Sequence, residues 1–101
     1  MKKTLGVIPA RMASSRFPGK PLKKILGIPM LAHCYERALL SKACDKLVIA
    51  TPDEEIINWA LNYNIPAILT GHHHQRATER AKETLDTLRK QGELYDFILL
   101  L

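Results

Sequence analysis

Three cations, Arg11, Arg16 and Lys20, stand close together in the stretch IPARMASSRFPGKPL, which runs from Ile8 to Leu22. Small residues (Ala10, Ala13, Ser14 and Ser15) lie between them, and Pro18 and Pro21 stiffen the end of the stretch. Small side chains let a backbone approach a ligand closely, prolines restrict the chain, and guanidinium and ammonium groups neutralise oxyanions. A loop that only joins two elements needs none of these properties, whereas a loop that holds several phosphate groups needs all of them. The charge distribution points the same way. The formal net charge is +5, and no carboxylate precedes Glu36, while Lys2, Lys3, Arg11, Arg16, Lys20, Lys23 and Lys24 all do. That asymmetry favours an anionic ligand near the N-terminal third. A nucleic-acid-binding face would interleave aromatic residues for stacking; the basic stretch offers only Phe17, so nucleic acid is not expected as a partner.

The loop is neither of the common glycine-rich types. A Walker A motif ending at Gly19-Lys20 would need Gly at position 14 and Ser or Thr at position 21, where the chain has Ser14 and Pro21. No Gly-x-Gly-x-x-Gly follows the first apolar run either. Its charge therefore comes from side chains, with Arg11 suited to bidentate phosphate contact and Lys20 to a point contact. The triplet His72–His74 invites a metal reading, but adjacent histidines project in different directions and no Cys or spaced carboxylate completes a tetrahedral set. No metal ligand is assigned within the chain, and His74 is read as a loop residue near the substrate. Asp53 and Glu54 follow the second strand and could lie near the site, although the dipole of the helix they begin is a sufficient explanation for them. Cys34 and Cys44 are too few for a disulfide framework, and Cys34 is expected as a small buried residue. Trp59 is expected to pack.

The elements that must position the basic loop follow from hydrophobic period. Leu5 to Ile8 is a short apolar run closed by Pro9, which reads as a buried strand. In ILGIPM, Gly27 and Pro29 mark a turn, with Pro29 suited to a first helical position. Leu31, Cys34, Tyr35 and Ala38 then repeat at helical spacing to about Lys42. Lys46 to Thr51 reads as a second strand. Thr51 or Asp53 could cap a helix burying Ile56, Ile57, Ala60 and Leu61. Ile65 to Leu69 reads as a third strand, and Thr70 to Ala77 as a polar loop. Thr78 could cap a third helix that buries Ala81, Leu85 and Leu88 and ends near Gly92. Phe97 to Leu101 begins a fourth strand.

This βαβαβαβ order predicts an α/β, Rossmann-like fold: a parallel sheet with helices on both faces. Ligands of such sheets sit beyond the carboxyl ends of the strands, where the loops Pro9–Lys24, Pro52–Glu54 and Thr70–Ala77 fall. At 101 residues the chain is one domain at most, and its 47% hydrophobic and 25% charged content is that of a globular protein. Its opening apolar run is interrupted by Pro9 and Arg11, too soon for a secretory core, and no segment approaches the ~20 apolar residues of a membrane span. A cytoplasmic location without membrane contact is expected. The chain stops inside an apolar strand, so residues 1–101 are read as the truncated, N-terminal portion of a longer protein.

The stretch IPARMASSRFPGKPL resembles the N-terminal nucleotide-binding signature of the sugar-acid cytidylyltransferases, and most strongly their 3-deoxy-manno-octulosonate branch, the CMP-Kdo synthetases. IPMLAHCYERA and IATPDEEI are similar to that family's following helix and second strand-loop. HHHQRATER is similar to its segment His-Gln-Ser-Gly-Thr-Glu-Arg, matching at His74, Gln75, Thr78, Glu79 and Arg80. The resemblance runs from about Val7 to Arg80 in order and spacing. It implies the nucleotide-diphospho-sugar transferase type of fold. It also implies a cytidylyltransferase that joins a Kdo-like sugar acid to CTP and releases pyrophosphate, in cell-surface (lipopolysaccharide) biosynthesis.

Carried over by residue, the resemblance implies that Arg11 and Lys20 bind and neutralise the CTP phosphates, with Arg16 supporting them and Ser14 and Ser15 in the same nucleotide-binding loop. The backbone at Pro9 and Ala10, with Ala77 and Thr78, would face the cytosine. His74, Gln75 and Arg80 would lie on the substrate side. Mg²⁺ is implied as cofactor, with its carboxylate ligand expected after Leu101, and a homodimer is implied for the full-length protein. Arg76 and Ala77 depart from the family's Ser-Gly, adding a cation and removing a glycine. The alternative reading is a non-catalytic phosphate-binding module, or an inactive fragment, that lacks the metal site.

Overall fold

The structure is a computed structural model that describes residues 2–11, 24–25, 28–71 and 76–101. Its strands are β1 (Thr4–Pro9), β2 (Lys24–Ile25), β3 (Ile28–Pro29), β4 (Lys46–Thr51), β5 (Ala67–Leu69) and β6 (Phe97–Leu100), and its helices are α1 (Met30–Ser41), α2 (Glu54–Asn62) and α3 (Ala77–Lys90). The main sheet has the order β5-β4-β1-β6, and every pairing in it is parallel. Leu5, Val7 and Ile49 are fully buried at its centre, as expected of apolar runs covered on both sides.

Alternation along the strands assigns the two faces. Ile8 on β1 and Leu47 and Ile49 on β4 join Leu31 and Tyr35 of α1 and Ile56 and Ala60 of α2 in one core. Leu5 and Val7, with Val48 and Ala50, point the other way and meet Ala81 and Leu88 of α3. Helices thus cover both faces, as the sequence predicts. From β1 the chain steps outward to β4 and β5, then returns across the other face to β6 on the far side of β1. The switch point lies between β1 and β6, where the strand order reverses direction.

Several expectations are corrected. Pro29 is not helical: Lys24 pairs with Pro29 and Ile25 with Ile28 in a small antiparallel ribbon, and α1 begins at Met30. Cys34 is exposed, while Leu31, Ala32 and Tyr35 form the buried stripe of α1. Leu61 is 68% exposed because it lies one residue, about 100° of rotation, past the buried Ala60. The third strand begins at Ala67, not Ile65. The Ile65 N–H bonds back to the Ala60 carbonyl, and Pro66 has no N–H, so only its carbonyl joins the sheet, accepting from Ile49. Arg76, not Thr78, occupies the N-cap of α3. Trp59 does pack, against the α1–α2 core, with its ring centroid 5.2 Å from that of Tyr63.

Gly6 sits where no side chain fits. An added Cβ would lie 2.6 Å from the Cys44 sulfur and 2.9 Å from Leu47 Cδ1. The missing side chain lets the turn before β4 close over the middle of β1. No helix among the described residues is long and apolar enough to cross a membrane.

Candidate nucleotide site at the carboxyl edge of the sheet

The ladder runs one step past the strands at their carboxyl ends. The Ala10 N–H donates to the Ala50 carbonyl (2.9 Å), and the Thr70 N–H donates to the Thr51 carbonyl (2.8 Å). Each strand therefore delivers its following loop from a fixed point. Thr51, fully buried, accepts the Asp53 N–H on its hydroxyl (3.1 Å) and so turns the chain into α2. An open cleft of about 330 Å³ lies over this region, lined by Pro52, Asp53, Glu54, Leu69 and Thr70. Its two carboxylates suit hydroxyl, amino or cationic partners and disfavour phosphate at that point.

Cationic groups gather on the neighbouring strand end and helix. Arg11 follows β1 and is half-buried. Arg80, on the first turns of α3, is only 2% exposed. Its Nη1 donates to the Thr70 hydroxyl and to the Gly71 carbonyl (3.2 Å). Burial, then the nearby positive charge of Arg11, pushes the Arg80 guanidinium below its ordinary pKa, against the opposing pull of Glu83 and Asp53. Two like charges brought close enough to repel are unfavourable in an unliganded fold and become favourable beside an anion.

α3 adds backbone donors. The Glu79 carboxylate reaches back to accept the Arg76 N–H (3.0 Å), an arrangement that begins the helix at Ala77. The first-turn N–H groups at Ala77 and Thr78 have no carbonyl within the helix to bond, and both residues are exposed. Ala77 is helical and its φ is not positive, so this backbone path does not require the glycine that the family segment carries.

Of the residues singled out from sequence, Pro9, Ala10, Arg11, Ala77, Thr78 and Arg80 all lie at this edge of the sheet or on the turn of α3 beside it. Ser14, Ser15, Arg16, Lys20, His74 and Gln75 lie outside the described residues. The Ala10 N–H is already bonded to Ala50, so only its carbonyl remains for a base. Arg80, expected on the substrate side, has its Nη1 committed to the protein backbone and to Thr70. Sequence reasoning missed Glu83, which accepts the Gly71 N–H (3.0 Å). Its only sequence signal is the three-residue spacing from Arg80, which many solvated helix faces share. Among the described residues no three metal-ligating side chains converge, so no complete Mg²⁺ set is found there and no step is derived through the ion.

The chain is 49% identical over 78 residues to a 3-deoxy-manno-octulosonate cytidylyltransferase of Nitratidesulfovibrio vulgaris, covering 77% of this chain and 31% of that protein. It is 41% identical over 97 residues to the mitochondrial 3-deoxy-manno-octulosonate cytidylyltransferase of Arabidopsis thaliana, covering 96% and 32% respectively. A solved CMP:2-keto-3-deoxy-manno-octonic acid synthetase complexed with CTP superposes with a TM-score of 0.80 at 36% identity, over 98% of this chain and 40% of that one. The chain thus spans about a third of the length of these curated relatives. The cytidylyltransferase family profile matches residues 5–98, nearly the whole chain, and the chain belongs to that family.

Proposed function

We propose that residues 1–101 form the N-terminal nucleotide-binding part of a CTP-dependent nucleotidyltransferase that activates 3-deoxy-manno-octulosonate to its CMP-sugar. The supporting observation is the position of Arg11, at the carboxyl end of β1 beside the topological switch point and close to the buried Arg80. Relatives with that activity in their names match 77% and 96% of this chain, and a solved relative is complexed with CTP.

In this reading a hydroxyl oxygen of the sugar acid attacks the α-phosphorus of CTP and gives up its proton to solvent. The bond from that phosphorus to the bridging oxygen breaks, and pyrophosphate leaves with the electron pair. Negative charge grows on nonbridging oxygens and on the leaving group, so catalysis is mainly positioning and electrostatic stabilisation. Arg11 and Lys20 bind those oxygens, with Arg16, Ser14 and Ser15 in the same loop. The carbonyls of Pro9 and Ala10 and the first-turn amides of Ala77 and Thr78 face the cytosine. His74 and Gln75 meet the sugar acid, and Arg80 supports that side. Mg²⁺ would supply charge neutralisation on the phosphates, and its carboxylate ligand is expected outside residues 1–101. We place the reaction in the cytoplasm, in cell-surface polysaccharide synthesis, with the whole protein a homodimer.

Pyrophosphate release by the whole protein tests this. Release that needs both CTP and the sugar acid, and that falls at least about a hundredfold in Lys20→Ala with the melting midpoint kept, is the expected outcome. Nucleotide binding without pyrophosphate release would favour the non-catalytic module.

A further inference from the structure

Both sides of the Gly71 peptide unit region are held by α3. Arg80 donates to the Gly71 carbonyl and, through the same nitrogen, to the Thr70 hydroxyl. Glu83, three residues further along the same helix face, accepts the Gly71 N–H. Thr70 is itself tied to the end of β4 through its N–H. These bonds join the first two turns of α3 to the carboxyl edge of the sheet, where β5 ends. The helix has supports besides these two residues: Glu79 serves the Arg76 N–H, and Ala81 and Leu88 supply apolar contact.

We propose that Glu83 is a positioning residue for the nucleotide site, acting as half of a latch with Arg80 that fixes the first turn of α3 relative to the end of β1. The latch sets how far the amides of Ala77 and Thr78 stand from Arg11. It also keeps a carboxylate beside the buried guanidinium, whose charge would otherwise face Arg11 with less compensation. Glu83 touches no substrate in this scheme. Its nucleotide role rests on the function proposed above, but its hold on Gly71 does not.

The experiment compares Glu83→Ala and Glu83→Gln in the whole protein by Gly71 amide exchange, thermal midpoint, and KM and kcat with CTP as the varied substrate. Glu83→Ala should speed Gly71 exchange and raise the KM for CTP about tenfold or more, since small misplacements of binding groups carry penalties of that order. Glu83→Gln keeps an acceptor and should restore most of both, which a lost packing contact would not do. If Glu83→Ala does not fold, the Gln variant decides. Protected Gly71 with near-normal KM supports the latch, and fast exchange overturns it. A lower midpoint with an unchanged KM for CTP would reduce Glu83 to a structural residue. Unchanged Gly71 exchange in Glu83→Ala overturns the latch whatever the enzyme does. A wild-type protein that releases no pyrophosphate from CTP overturns the nucleotide role and the proposed function, leaving the Gly71 result to stand separately.

Discussion

The two edges of the main sheet treat charge in opposite ways. At the amino edge, two aspartates flank the start of β1. The Asp45 carboxylate accepts the Thr4 N–H (2.7 Å) while its own N–H donates to the Thr4 carbonyl, and Asp96 does the same for Lys3 (2.8 Å). Lys46 bonds Glu93 at 2.7 Å, and Tyr95 donates to the same carboxylate oxygen. Lys2 lies over the Phe97 ring. Opposite charges and dipoles meet, and this edge is electrostatically closed. At the carboxyl edge Arg11 and Arg80 repel each other, one of them buried, above loops rather than strand starts. An edge arranged only for stability would resemble the first; the second buries a guanidinium beside another cation, with Glu83 and Asp53 only partly offsetting them. Burial, not just composition, distinguishes them.

The largest test of that contrast is Arg11→Ala. If the carboxyl edge holds the nucleotide, turnover of CTP by the whole protein should fall roughly 100- to 1,000-fold, with the midpoint of thermal unfolding little changed. Turnover within a few-fold of wild type would remove Arg11 from the site and with it the functional difference between the edges.

Gly6→Ala probes the strand that links both edges. The new methyl would meet the Cys44 sulfur and Leu47, so unfolding free energy should drop by about 1–3 kcal/mol in a denaturant titration. The KM for CTP should stay near the wild-type value, because the clash lies away from the carboxyl edge. A shifted KM without lost stability would show that β1 transmits strain to the site.

The smallest effects belong to the amino edge. Lys46→Met breaks a partly exposed ion pair and should barely move the thermal midpoint or the turnover. Burial, followed by the Glu93 hydrogen bond, pushes the Tyr95 hydroxyl up to about 12 from its ordinary 10.0. The folded chain therefore keeps this proton where the unfolded chain has lost it. Tyr95 stabilises fully below pH 10 and loses its contribution as pH rises from about 10 to about 12. Denaturant titrations across that window should show a steeper decline in wild type than in Tyr95→Phe, and equal declines would refute the assignment. Glu93 acts at the other end of the scale: its bond to Lys46 lowers its pKa, so its contribution is present above the ordinary 4.5 and is lost on acidification through the lowered folded pKa.

Much of the fold was legible because its signals are local. Continuous apolar runs at Leu5–Ile8 and Lys46–Thr51 could be strands without reference to anything distant, and the second was located to the residue. Boundaries set by hydrogen bonds across the chain were less legible. Ile65 reads as strand by composition, yet its N–H closes the end of α2. Thr78 has the chemistry of a cap, but the Glu79 carboxylate bonds the Arg76 N–H and starts the helix earlier. Cys34 and Leu61 fit the helical period and are exposed, because a sheet touches only a narrow stripe of a helix.

The same division applies to the site. By itself the sequence determined the family signature, the gathering of Arg11, Arg16 and Lys20 after the first strand, and the alternation that puts such loops at one end of a parallel sheet. These depend on residue type and spacing along the chain. Only the tertiary structure decided that Arg80 is buried against Thr70 and Gly71 and that Glu83 completes its hold on Gly71. Spacing along one helix can put Arg80 and Glu83 on one face, but it cannot say what that face meets. The partner is a peptide on the end of β5, brought there by the packing of α3 across the sheet.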